Sequence, residues 1–292
     1  MITDNWHEKI HLFTCHDCRL IGIATYPQQT IHTGILIIVG GPQYRAGSHR
    51  QFTLLSRHLA DSNIASFRFD YRGMGDSEGA RQSFTSIKDD ITAAIDCFIK
   101  NNPTITSVII WGLCDAASAA LLYANFDPRV KGLILLNPWT QMDELSAKVR
   151  FSHYYFPRLL TGAFWRKLLS REIELSTALR EFLDSIKRAR KFYSRGDKNS
   201  STYNLVDNML SELNGFKGPV LFILSGNDFT AQEFMTLTST DQRWHDATHS
   251  DKREIKTLEE ASHTFSKKEW RDTVADWTAS WAIIQNEAKS KT

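Results

Sequence analysis

The sequence has little cysteine and little proline, four and seven among 292 residues. The cysteines, at 15, 18, 97 and 114, are too few and too scattered for a disulfide framework in a chain of this size. Long hydrophobic runs are missing: none approaches the roughly 18 residues of a membrane span. The start, Met1 to Trp6, lacks the basic and then apolar pattern of a signal peptide. Charge of one sign is lacking too. Lys and Arg number 35 against 33 Asp and Glu, a net +2 that speaks against a general nucleic-acid binder. These absences together predict a reducing, cytoplasmic setting, with no nucleic-acid partner and no membrane span.

What is present is an ordinary globular mixture: 42% hydrophobic, 11% aromatic and 23% charged residues. That excludes a disordered or low-complexity chain. The length suffices for a core that needs neither disulfide nor metal. Broken apolar segments at Ile10–Phe13 and Leu20–Tyr26 predict an antiparallel hairpin. Gly34 to Val39 is a continuous β-branched run, the mark of a strand covered on both faces. Helical spacing follows from Ser48 to Leu59, then a strand at Ile64–Phe69 and a helix with Ile87, Ile91, Ala94, Ile95 and Phe98 on one face. A strand at Ser107–Trp111, a small-residue helix at Ala116–Ala124 and a strand at Gly132–Leu136 continue the alternation. It resumes with strands at Pro219–Leu224 and Arg253–Leu258, and a last helix carrying Trp270, Val274, Trp277 and Trp281. The order predicts a doubly wound, mostly parallel α/β sheet. Residues 1–140 and 217–292 form its core, and the helical stretch 141–216 is an insertion.

The most informative segment is Val108-Ile109-Ile110-Trp111-Gly112-Leu113-Cys114-Asp115-Ala116-Ala117. A strand ends in Gly-x-Cys-x-Ala and passes straight into a helix. Such a turn presents one side chain above the sheet, and needs small residues two before and two after it. The helix N-terminus favours a thiolate at Cys114. A buried core cysteine is the competing reading.

The surroundings favour the first. With the Asp70-Tyr71-Arg72-Gly73-Met74-Gly75-Asp76-Ser77-Glu78-Gly79 loop after its second parallel strand, the chain resembles the α/β-hydrolase superfamily. The insertion falls at the family's lid position, and Asp70 and Arg72 fall at structural positions. Gly40 to Phe52, Trp111 to Ala116 and Ser225-Gly226-Asn227-Asp228 more closely resemble the cysteine-nucleophile hydrolases associated with exosortase A systems. That resemblance implies a link to exopolysaccharide or envelope metabolism.

The superfamily order, nucleophile then acid then histidine, implies a triad of Cys114, Asp228 and His263. Asp241 and Asp246 are weaker acids, and His245 and His249 weaker bases, by their positions relative to the strands. One oxyanion donor is implied at the Asp115 N–H. Pro42 carries no N–H, so the second is placed at Gln43, with Tyr44 the alternative. Tyr44, Arg45 and His49 are expected to bind substrate. Cys15-His16-Asp17-Cys18 lacks a second ligand pair, and Gly73-Met74-Gly75 is no phosphate loop, so neither metal nor cofactor is expected.

The resemblance implies an esterase or thioesterase working through an acyl-cysteine intermediate on a small-molecule acyl ester or thioester. Alternatives are an acyltransferase using the same intermediate, and an inactive binding protein on the same fold. The complete triad argues against the last. Between Lys148 and Lys198, 13 Lys and Arg stand against 5 Asp and Glu, interleaved with aromatics such as Tyr154, Tyr155 and Trp165. This is either a solvated helical face or a basic lid for an anionic or carrier-bound substrate.

Overall fold

The computed structural model describes residues 5–41, 43–140 and 200–290. The chain divides into two compact units, 1–140 with 207–292 and 141–206. The basic segment 148–198 lies outside the described residues.

The first unit is built on one eight-stranded sheet in the order β1-β2-β4-β3-β5-β6-β7-β8. Strands β1 (Trp6–Cys15) and β2 (Cys18–Pro27) form the expected hairpin, closing with Cys15 opposite Cys18. Strand β2 runs antiparallel to β4 (Ser66–Asp70). From there β3 (Thr33–Ile38), β5 (Ser107–Leu113), β6 (Val130–Leu136), β7 (Val220–Ser225) and β8 (Arg253–Leu258) pair in parallel. Every residue of β3, β5 and β7 is buried, which is why their apolarity is continuous rather than alternating; β4 is as buried but alternates, with Ser66, Arg68 and Asp70 between Phe67 and Phe69. This is the α/β-hydrolase fold.

Helices α1 (Gln51–Asp61), α2 (Lys88–Asn101), α3 (Asp115–Tyr123), α4 (Ser200–Gly215), α5 (Phe229–Thr240), α6 (Gln242–Thr248) and α7 (Lys268–Ser290) complete the described elements. Phe52, Leu55 and Leu59 of α1 share a cluster with Val274, Ala275, Ala279 and Trp281 of α7, over Ile35, Ile37, Ile109 and Trp111 of the sheet.

Three departures from the sequence reading matter. The helix expected from Ser48 begins at Gln51, because His49 (φ 51°) and Arg50 (φ 60°) are left-handed and form a short 3₁₀ turn. The core resumes at Asp207 rather than at 217. Met209, Leu210 and Leu213 of α4 are buried, and the Leu213 and Phe216 carbonyls accept from the Arg253 guanidinium at 3.0 and 2.7 Å. Helices α5 and α6, between β7 and β8, had no counterpart in the reading. No helix among the described residues is long and apolar enough to cross a membrane.

Candidate active site

The site is assembled from strand ends. Cys114 follows β5 directly, with φ 63° and ψ −125°, a conformation rare for a residue with a Cβ. Its N–H donates to the Leu136 carbonyl of β6 at 2.9 Å, and its carbonyl accepts from Ala117 at 3.0 Å. The turn is held on both sides, as a strained nucleophile position requires. Gly112 is needed here: a Cβ would sit 2.5 Å from the Ala116 carbonyl oxygen and 2.7 Å from the Ala117 nitrogen. Gly40 approaches the same turn, where a Cβ on it would lie 2.6 Å from the Leu113 carbonyl oxygen and 3.2 Å from the Ala116 Cβ. Ser118, one turn along, is fully buried and exchanges hydrogen bonds with the Trp139 backbone at 2.7 and 3.0 Å. It packs and does not face substrate.

Asp228 lies just past β7 and caps α5, its Oδ2 accepting from the Ala231 N–H at 3.0 Å. The same oxygen lies 2.9 Å from Nδ1 of His263. The Asp228 side chain is 8% exposed and that of His263 35%. His263 stands on the loop between β8 and α7, near enough for its imidazole to interact with the Cys114 side chain. The interactions with Asp228 and Cys114, against a smaller opposing effect of burial, push its pKa up to about 10, which favours the protonated imidazole. The structure brings together all three side chains expected from the sequence. The weaker candidates stand apart. Asp241 caps α6 and pairs with Arg243, Asp246 accepts from Gln242, and His245 and His249 stack on each other with centroids 4.2 Å apart.

Sequence reasoning missed Asn137, at the end of β6. It is fully buried and left-handed (φ 44°), and its amide donates to Ser225 Oγ at 2.8 Å and to the His263 carbonyl at 3.1 Å. Its Oδ1 accepts from the Ser225 N–H at 2.9 Å. Ser225 Oγ in turn donates to the Ser262 carbonyl at 3.1 Å. One carboxamide thus ties the ends of β6 and β7 to the loop that carries His263. An Asn directly after an apolar strand end was the available signal.

The residues expected at the oxyanion and substrate positions make other contacts as well. Asp115 was assigned for its N–H, but its carboxylate dominates the region. Gly41 N–H donates to Oδ1 at 2.8 Å and to Oδ2 at 3.1 Å. Burial pushes the Asp115 carboxyl above the usual carboxylate range, outweighing the backbone donors led by Gly41 and the nearby His263 charge. Gln43 turns its side chain inward, with Oε1 accepting from the Ser48 N–H at 3.0 Å.

Arg45 is not a free cation. Its Nη1 is shared by Asp70, with which it forms a short buried ion pair, and by Asp76 at 2.7 Å. Its own backbone N–H donates to Asp70 at 2.6 Å. Arg45 therefore pins the β3 loop to the β4 loop. Asp70, wholly buried, and Arg72, bonded to the buried Asp90 at 2.8–3.1 Å, have structural roles, as the resemblance implied. Tyr44 is half exposed and, with Gln43, Met74, Asp76 and Arg81, lines a cavity of about 470 Å³. His49 is exposed on the 3₁₀ turn and does not line it. No triad side chain lines this cavity, which lies beside the β3 loop.

With the geometry in hand, comparison with known proteins places the chain. The model of the family described as serine aminopeptidase, S33, matches residues 32–269. The chain belongs to this family of α/β hydrolases. No curated protein matches it. Among solved structures it is similar to the Pyrococcus furiosus esterase Pf2001, at 15% identity and TM-score 0.60, covering 93% of this chain and 92% of that one. It is similar to Est1E from Butyrivibrio proteoclasticus, with ferulic acid bound, at 14% identity and TM-score 0.59, covering 94% and 98%. It is also similar to a dienelactone hydrolase from Anabaena variabilis, at 14% identity and TM-score 0.58, covering 96% and 98%. These likenesses carry the fold. At the level of the family the protein is a hydrolase. The family is named for serine, and here the side chain at the strained turn is a cysteine.

Proposed function

We propose that the protein is an esterase- or thioesterase-type hydrolase that works through Cys114, His263 and Asp228. The observation that carries this reading is the 2.9 Å bond from Asp228 Oδ2 to His263 Nδ1, with the same imidazole interacting with Cys114 at the strained turn. The thiolate adds to an acyl carbonyl, forming a C–S bond and a tetrahedral oxyanion. The C–O or C–S bond to the leaving group then breaks, and the His263 imidazolium gives that group its proton. His263, now neutral, takes a proton from water as the water attacks the acyl-cysteine. Collapse releases the carboxylic acid and restores the thiolate–imidazolium pair. Asp228 holds the imidazole by Nδ1 and balances its charge throughout.

A thioester intermediate is open to attack by hydroxyl and amine acceptors as well as water. The presence of cysteine in place of serine is the feature that favours acyl transfer as a second reading. The resemblance to exosortase-associated hydrolases supports a role in exopolysaccharide or envelope metabolism. The basic stretch between Lys148 and Lys198 supports an anionic or carrier-bound acyl substrate.

The test is a panel of p-nitrophenyl esters and acyl thioesters, given to the native protein and to Cys114→Ala and Cys114→Ser. Turnover by the native protein and its loss in Cys114→Ala are expected, with Cys114→Ser poor because the site is built around a polarised thiol. Full turnover by Cys114→Ala would overturn the reading.

A further inference from the structure

A backbone donor beside Cys114 is already engaged. Asp115 opens the first turn of α3, and Gly41 N–H, from the loop after β3, donates to both oxygens of its carboxylate, at 2.8 and 3.1 Å. Those are the two elements from which an acyl-transfer site of this fold draws its oxyanion donors. The fit is close. A Cβ on Gly40 would come within 2.4 Å of Asp115 Oδ1, so Gly40 makes room for this carboxylate.

We propose that Asp115 is a built-in competitor for an oxyanion donor, so that acylation of Cys114 requires its carboxylate to yield that donor or to lose its charge. The inference rests on Cys114 being the nucleophile. A fixed negative charge where a second negative charge must develop opposes the tetrahedral intermediate directly. The same carboxylate holds the Gly41 loop in place until substrate arrives. The ionisable groups facing Asp115 are Cys114 beside it, His263 from the loop after β8, and Tyr71 after β4. Tyr71 is buried and its phenol is pushed up to about 12 by burial and then by Asp115, so it stays neutral. The His263 charge is the one cation among these three, and it attracts the Asp115 carboxylate.

Two reagents separate this effect from thiol reactivity. Iodoacetamide alkylates a thiolate by displacing iodide and builds no oxyanion. p-Nitrophenyl acetate acylates it through an oxyanion, forming the S–acyl bond and expelling p-nitrophenolate. Both rates are followed by intact mass on the full chain, and the ratio of acylation to alkylation is the readout. Asp115→Asn keeps an acceptor for Gly41 but removes the charge, and the ratio is expected to rise by up to about a hundred- to thousandfold, the scale of one oxyanion donor. In the native protein the ratio is expected to rise as pH falls and Asp115 takes up a proton, while in Asp115→Asn it stays flat. The native pH series decides the matter even if the variant fails to fold. A ratio independent of pH in the native protein, or unchanged or lowered in Asp115→Asn, overturns the proposal. Alkylation of Cys114 with such a flat ratio would leave the nucleophile standing. Absence of any adduct on Cys114 from either reagent would remove both.

Discussion

One carboxylate oxygen of Asp228 serves two partners: Oδ2 lies 2.9 Å from Nδ1 of His263 and accepts the Ala231 N–H at 3.0 Å. The proposed catalytic acid is therefore also the cap of α5, and its position is fixed by the helix that it starts. Function and local stability can be separated at this residue. Asn caps a helix about as well as Asp, whereas Ala costs about 1 kcal/mol. Asp228→Asn should keep the thermal midpoint and lower kcat by a factor on the order of 10⁴, the loss seen when an acid of this kind becomes an amide. Asp228→Ala should lose both. Steady-state kinetics beside thermal melts check this, and an Asp228→Asn protein with native kcat would contradict it.

The raised pKa of His263 fixes the sign of a pH effect. Its interactions with Asp228 and Cys114 lift it from near 6.5 to about 10 in the folded chain. The stabilisation is therefore complete below about pH 6.5 and is lost as pH rises through about 10. Cys114→Ala removes one of the two interactions, so the His263 Cε1–H titration should move to lower pH. The alkaline loss of stability should flatten in that variant. An NMR titration with an unchanged midpoint would contradict the interaction of His263 with Cys114.

Asn137 should matter more to folding than its distance in sequence from the triad suggests. Asn137→Ala leaves the buried Ser225 N–H without its side-chain acceptor and the His263 carbonyl without this donor. It also places alanine at φ 44°. A loss of about 2–4 kcal/mol is expected from the unmet groups and the left-handed backbone. Urea denaturation measures it, and a change under about 0.5 kcal/mol, the size of an ordinary surface substitution, would show the network to be incidental.

Arg45 gives the opposite kind of prediction. Its guanidinium is committed to Asp70 and Asp76. Arg45→Gln should destabilise the protein by about 3 kcal/mol or more, because it leaves Asp70 buried without its charge partner. It should act equally on neutral and anionic esters. A selective loss on anionic esters, with stability unchanged, would return Arg45 to substrate binding.

The strands, and the strand ends that carry Cys114, Asp228 and His263, were legible because each rests on a local signal. Continuous β-branched runs can be satisfied only between two layers, as β3, β5 and β7 are. Gly112-x-Cys114-x-Ala116 marks a turn whose steric needs are met by small residues on either side of the exposed one. What escaped depends on three-dimensional neighbours. The left-handed His49 and Arg50 sit in a pattern that spacing reads as helix. The capping of α5 by Asp228 and of α6 by Asp241 was hidden because Asp228 was weighed as a catalytic acid and not as a helix start. The charge of Arg45 said nothing about Asp70, 25 positions away, which takes it. The carboxylate of Asp115 could be placed over Gly41 only by the fold, since the two are 74 positions apart.

The central claim is that Cys114 carries the acyl group. It is tested most directly by rapid acid quench of the protein with p-nitrophenyl acetate, followed by intact mass and peptide mapping. The account predicts an acetyl adduct on the peptide holding Cys114, formed with the p-nitrophenolate burst and decaying in water, and absent from Cys114→Ala. A burst of equal size in Cys114→Ala, or an adduct mapping to another residue, would contradict it.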